Sequence, residues 1–117
     1  MKLRFSEKVI GFIINCDLDK LRKLTVQSLA EEFEYNRSYF SIKFKKETQM
    51  LVSEYIKSEL LRRANIYINQ EDSIPIYEIS RRVGFNKYAY FRKLFKKKYG
   101  ITPGNFHKIK KSNKCGS

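Results

Sequence analysis

The chain has 117 residues, room for one globular domain or for two very small ones sharing a buried element. Its 25 lysines and arginines against 12 acids leave a net charge of +13, which points to a polyanionic partner. Cys16 and Cys115 stand almost a chain length apart with no ligand-spaced His or Cys, no stretch approaches a membrane span and no secretory signal opens the chain, so a disulfide framework, a zinc site and a membrane location are excluded and a cytoplasmic protein is expected.

Apolar residues recur at helical spacing almost throughout, and the predicted fold class is all-α. A first helix is expected over Ser6 to Cys16, with Ser6 as N-cap and Val9, Ile10, Ile13 and Ile14 on one face, followed by a polar break at Asp17 to Lys20. Thr25 caps a second helix through Glu34 that buries Val26, Leu29, Ala30 and Phe33. Asn36 caps a third through about Thr48 that buries Phe40 and Phe44. Tyr35 and Phe40 are spaced for a hydrophobic staple, which sets the angle at which the chain enters the helix. Residues 25–48 thus read as two helices joined by a tight turn, a helix-turn-helix by pattern.

One long helix is predicted over Val52 to Gln70, with Val52, Ile56, Leu60, Ala64 and Tyr67 along one stripe and Tyr55, Leu61 and Ile68 beside it. At about 1.5 Å per residue it spans somewhat under 30 Å, enough to hold two such units about one DNA turn apart. A second helix-turn-helix is expected over residues 75–99, with Pro75 as its first helical residue, Gly84 in its turn, Phe85, Asn86 and Tyr90 repeating the staple and cap, and Gly100 closing it in the left-handed conformation. Thr102-Pro103 starts a short C-terminal helix through about Ile109. The basic tail from Lys110 to Ser117 reads as disordered, its last two residues as an expression scar.

The two units are copies of one another. Leu29/Ile79, Ala30/Ser80, Phe33/Val83 and Asn36/Asn86 match at an offset of fifty residues, whereas Tyr39-Phe40/Tyr90-Phe91 and Phe44-Lys45-Lys46/Phe95-Lys96-Lys97 match at fifty-one. One residue has therefore been inserted between the halves of the unit, where a turn tolerates it. A duplicated basic unit suits two equivalent contacts on one long, regular anionic ligand, for which duplex DNA is the first choice. The copies differ at their exits, where Gln49 and Leu51 replace Gly100 and Thr102. A non-glycine residue in the left-handed conformation costs about 1 kcal/mol, so the first exit is expected to be the less stable unless Gln49 avoids that conformation.

No catalytic constellation is present. His107 is the only histidine, there is no glycine-rich phosphate loop, and Glu31, Glu32 and Glu34 read as a solvated helix face; no enzyme activity, metal or cofactor is predicted. The second helix of each unit carries the signal. With Phe40 and Phe44 turned inward, a step of about 100° per residue puts Arg37, Ser38, Ser41, Ile42 and Lys45 on or near the face open to a groove. In the second copy the matching residues are Lys87, Tyr88, Ala89, Arg92 and Lys93. Arginine is the usual bidentate reader of guanine, so Arg37 and Arg92 lead as base contacts, and Ile42 and Ala89 suit thymine methyls. Lys45, Lys46, Lys96, Lys97 and Lys98 lie later in the helices and suit phosphates. Each lysine alone reads as a solvated charge, but Lys87 to Lys98 holds six cations and no acid. Tyr39 and Tyr90 read as core aromatics and Tyr88 as an exposed one.

From Leu24 to Ile109 the chain resembles the DNA-binding domain of the AraC/XylS family of bacterial transcription regulators, and the resemblance makes Ser6 to Cys16 the family's first helix, so that it covers nearly the whole chain. Leu29-Ala30, Tyr39-Phe40, Phe44-Lys45-Lys46, Tyr55-Ile56 and Ala64 carry the resemblance in the first half, and Ile76 to Ile79, Gly84-Phe85, Tyr90-Phe91, Phe95-Lys96-Lys97, Tyr99-Gly100 and Thr102-Pro103 in the second. The resemblance implies seven helices, with two helix-turn-helix units bridged by a long helix and bound to adjacent major grooves of promoter DNA. It also implies that bases are read at Ser38, Ser41 and Ile42 and at Tyr88, Ala89, Arg92 and Lys93, and that an activator of this type contacts RNA polymerase as well. Glu34, Gln49, Leu60, Ser80 and His107 depart from the family pattern. The first unit offers fewer charged base readers, so sequence reading is expected to be dominated by the second or shared through DNA shape. The chain reads either as a small stand-alone regulator binding as a monomer or as a domain of a longer one that dimerises elsewhere; the near absence of sequence outside the motif favours the latter. The alternative function is a non-specific nucleic-acid-binding helical module.

Overall fold

The computed structural model describes residues 2–70 and 73–106. Within them lie seven complete helices, α1 Phe5–Asn15, α2 Leu18–Lys23, α3 Val26–Glu32, α4 Arg37–Thr48, α5 Val52–Gln70, α6 Ile76–Arg82 and α7 Tyr88–Tyr99, and an eighth begins at Pro103. The expected helix end near Ile109, His107, Cys115 and the tail 110–117 fall outside the described residues. The chain divides into two compact units, Met1–Glu59 and Leu60–Ser117, and the boundary falls inside α5.

In the first unit, α1 starts at Phe5 rather than being capped by Ser6. Arg4 is the N-cap residue and makes no side-chain cap, while Ser6 is buried in the first turn with its N–H donating to Glu47 Oε1 at 2.9 Å. The open N–H groups of a helix start can be met by a carboxylate from another helix, which local spacing does not reveal. Ile14 is exposed, so the buried face of α1 is carried by Val9 and Ile13. The expected break at Asp17 to Lys20 is instead the start of α2. The Asp17 carboxylate accepts the Lys20 N–H at 2.8 Å, and Leu21 is fully buried, which together hold six residues helical.

Thr25 caps α3 in a reciprocal box, its hydroxyl accepting the Ser28 N–H while Ser28 Oγ accepts the Thr25 N–H, both at 3.0 Å. α3 ends at Glu32, two residues short of the expected end. Leu29 and Ala30 are buried, whereas Val26 and Phe33 are only half-buried. Asn36 Oδ1 accepts the N–H groups of Ser38 and Tyr39 at 2.9 and 3.3 Å and so caps α4. Phe40 and Phe44 lie fully buried; Phe40 meets Phe5 edge-to-face at 5.2 Å and Phe44 meets Tyr55 at 6.1 Å.

The second unit repeats this plan with α6 and α7, burying Ile79, Val83, Phe85, Phe91 and Phe95; Leu61, Ala64 and Ile68 of α5 are buried as well. The closures of α3 and α6 are nearly superposable in their bonds. Tyr35 N–H donates to Ala30 at 2.8 Å, and Phe85 N–H to Ser80 at 2.9 Å. The residue between has positive φ in both, 61° at Glu34 and 103° at Gly84. The extra residue therefore lies after this closure, since residues 33–36 join α3 to α4 and residues 83–87 join α6 to α7.

That placement corrects two expectations. Asn86 does not cap α7: Lys87 holds the N-cap position without a side-chain cap, because the insertion moves the helix start one residue beyond the asparagine. Pro75 is the N-cap of α6 rather than its first helical residue, so its fixed φ of −60° precedes the helix. At the exits, Gln49 does adopt the left-handed conformation, with φ 63° against 83° at Gly100. Thr48 supports it, its hydroxyl donating to Phe44 O at 2.8 Å and accepting the Met50 N–H at 3.1 Å.

Candidate nucleic-acid interface

Two helices of equal length, α4 and α7, each bury a phenylalanine pair and turn the opposite side outward. On α4 the predicted residues Arg37, Ser38, Lys45 and Lys46 are exposed, Ser41 is half-buried, and Ile42 keeps 68% of its surface, the most of any large apolar side chain described. On α7 Ala89, Arg92, Lys93, Lys96, Lys97 and Lys98 are exposed, and Tyr88 is 39% exposed. Lys87 is exposed at the N-cap position. Of the α7 residues, Ala89, Arg92, Lys93 and Lys96 come together around one depression, whereas a step of about 100° per residue carries Lys98 round to the far side of the helix from Lys93.

The two tyrosines expected in the core are outside it. Tyr39 is 53% exposed and Tyr90 42%. Each precedes the buried phenylalanine by one residue, and a helical step of about 100° carries it out of the core. Tyr39 stacks on Tyr35 at 5.6 Å, and the Lys43 ammonium lies 5.9 Å from its ring and 5.4 Å from that of Phe5.

The basic side of α7 is concave. Ala89, Arg92, Lys93, Lys96 and Thr102 line an open depression of about 300 Å³. The sequence marked Thr102 as the start of the last helix and as part of the family motif, and its hydroxyl accepts the Asn105 N–H at 3.3 Å. The depression was not legible because it requires the chain to fold back after Gly100. The arginines of α6 are differently engaged: Arg81 and Arg82 pair with Glu78 at 3.1 and 3.5 Å.

Glu47 is the single acid of α4. The hydrogen bond from the Ser6 backbone N–H, aided by the Ser6 hydroxyl and by Arg4 and Lys43, holds its carboxyl below the usual value, and Arg4 Nε lies 3.8 Å away. Among the described residues no group of acids, histidines and cysteines is placed to hold a metal ion, and no helix is long and apolar enough to cross a membrane.

Two paired helices of this kind, occurring twice, define a double helix-turn-helix protein. The helix-turn-helix domain family matches residues 29–109, and the chain belongs to it, in the AraC/XylS type that its motifs resemble. The chain is 33% identical over 90 residues to the Msm operon regulatory protein of Streptococcus mutans, covering 77% of this chain and 32% of that protein. It is also 33% identical over 90 residues to the uncharacterized HTH-type transcriptional regulator YtdP of Bacillus subtilis, covering 77% of this chain and 12% of that one. It therefore spans a third or less of the length of these two relatives. In fold it matches the DNA-binding domain of AdpA, a global transcriptional factor solved in complex with a target DNA, with a TM-score of 0.76 and 18% identity over 96% of this chain and 97% of that one.

Proposed function

We propose that this chain binds specific double-stranded DNA in bacterial transcription regulation, with α4 and α7 entering adjacent major grooves. The observation that carries the reading is the paired outward face: two helices of twelve residues, each held by two buried phenylalanines, each showing small, polar and cationic side chains at its N-terminal half. Such side chains reach base edges because a recognition helix enters the groove by its N-terminal part.

In this reading Arg37, Ser38, Ser41 and Ile42 meet one groove, and Lys87, Tyr88, Ala89, Arg92 and Lys93 meet the next. Lys45, Lys46, Lys96, Lys97 and Lys98 meet phosphates and supply affinity common to all sequences. The net charge of +13 supports the phosphate part. The internal duplication supports binding as a monomer, since one chain carries both contacts. RNA polymerase is the further partner of an activator of this type, and the cytoplasm is the compartment that fits both.

The test is selection of sites from a random duplex pool, followed by competition between selected and random duplex at fixed salt. Two runs of preferred bases about one helical turn apart are expected, with the selected duplex favoured by at least about a thousandfold. Equal affinity for both duplexes would replace this function with non-specific nucleic-acid binding.

A further inference from the structure

α1 lies outside the residues matched by the helix-turn-helix family, yet its first turn is fastened to the outward-reading helix α4 at two points. At one, the Ser6 N–H donates to Glu47 Oε1 at 2.9 Å and Arg4 Nε stands 3.8 Å from the same oxygen. At the other, the Phe5 ring packs edge-to-face on Phe40 at 5.2 Å and carries the Lys43 ammonium 5.4 Å above it. The two attachments grip α4 from its first turns to its last, a span that fixes both its tilt and its rotation.

An acid is out of place on a helix that approaches phosphates. The second copy has Lys98 at the position matching Glu47, and α7 carries no acid at all. For electrostatics alone, Glu47 costs the first helix affinity. Its surroundings supply the compensating role: the carboxylate meets an open N–H at the positive end of α1, and its side chain is only 17% exposed.

We infer that Glu47 is a positioning residue for DNA reading, which, through Ser6 and Arg4, uses the N-terminal helix to hold α4 at the angle its groove requires. The inference rests on the DNA-binding reading above. It makes α1 a working part of the first DNA contact, although α1 carries none of the proposed base readers.

The test compares Glu47→Lys, which installs the second copy's residue, with Glu47→Gln, which keeps an oxygen acceptor for the Ser6 N–H. The probes are a duplex selected by the unaltered chain and a random duplex of equal length, read by binding and by hydroxyl-radical footprinting. With Glu47→Lys, affinity for the random duplex is expected to hold or rise, because a positive charge replaces a negative one. Preference for the selected duplex should fall about tenfold, as for loss of a good base contact, with one of the two protected runs lost. Glu47→Gln should restore that run. The surviving run from the second unit reports that the rest of the protein is intact.

Should Glu47→Lys unfold the first unit, Glu47→Ala is measured in its place with the same readouts. Retention of both runs and of full preference in Glu47→Lys, or in that replacement, would overturn the inference. So would a single run in the unaltered chain that survives the substitution. If the unaltered chain shows no preference at all, it is the DNA-reading function that fails.

Discussion

Gln49 and Gly100 hold the same left-handed corner with different residues, and the difference is measurable. Both close their helices with one bond to a lysine carbonyl, Lys45 and Lys96, each at 2.7 Å. A Cβ at Gly100 would meet nothing within 4 Å, so any loss in Gly100→Ala comes from φ alone. That substitution should cost about 1 kcal/mol, and Gln49→Gly should recover up to about 1 kcal/mol, read from urea unfolding. The Gln49 gain is expected to be the smaller in magnitude, since its amide donates to Lys46 O at 3.2 Å.

Glu47 also makes stability depend on pH. Its carboxyl titrates below the ordinary value in the folded chain, chiefly through the Ser6 backbone N–H, so folding favours the ionised form. The resulting stabilisation is fully present above the ordinary glutamate range and is lost as pH falls through the lowered folded value. Acid unfolding followed by circular dichroism should therefore show a shallower loss of stability in Glu47→Gln. An unchanged acid limb would mean that the Ser6 and Arg4 contacts do not persist in solution.

At the scale of elements, the two units share a scaffold but not their helix starts. Asn36 accepts two backbone N–H groups, whereas Asn86 precedes an uncapped start by one residue. Asn36→Ala should destabilise by about 1 kcal/mol, and Asn86→Ala by much less. Equal losses would mean that Asn86 caps α7 in solution. The sequence made both asparagines look alike because they match at the offset of α3 and α6. The helices that follow obey the other offset, and only the bonding decides which offset applies at the join. α2 was hidden for a related reason. Six residues carry too little periodicity to announce a helix, and the burial of Leu21 that stabilises it depends on neighbours distant in the chain.

For the whole molecule, charge and specificity should separate. Lys96→Ala is expected to weaken selected and random duplexes alike and to reduce the slope of log affinity against log salt by about one. Arg92→Ala should instead cost about 1–3 kcal/mol on the selected duplex and relax its preference. If Arg92→Ala leaves preference intact while Ser41→Ala or Arg37→Ala abolishes it, the first unit is the principal reader and the second serves mainly for affinity.

The sequence by itself determined the all-helical class, the duplication, the buried phenylalanine pairs and hence the outward side of α4 and α7. These follow from spacing along one helix, where a step of about 100° relates each residue to its neighbours whatever else the chain does. It also placed α5, whose apolar stripe is long enough to define its own period. Only the tertiary structure decided that Tyr39 stacks on Tyr35, that Thr102 joins Arg92 and Lys96 around one depression, and that Ser6 answers a carboxylate forty-one residues away. These features depend on which surfaces meet. A chain's local pattern says which side of a helix is apolar, but not which partner will satisfy its open N–H groups.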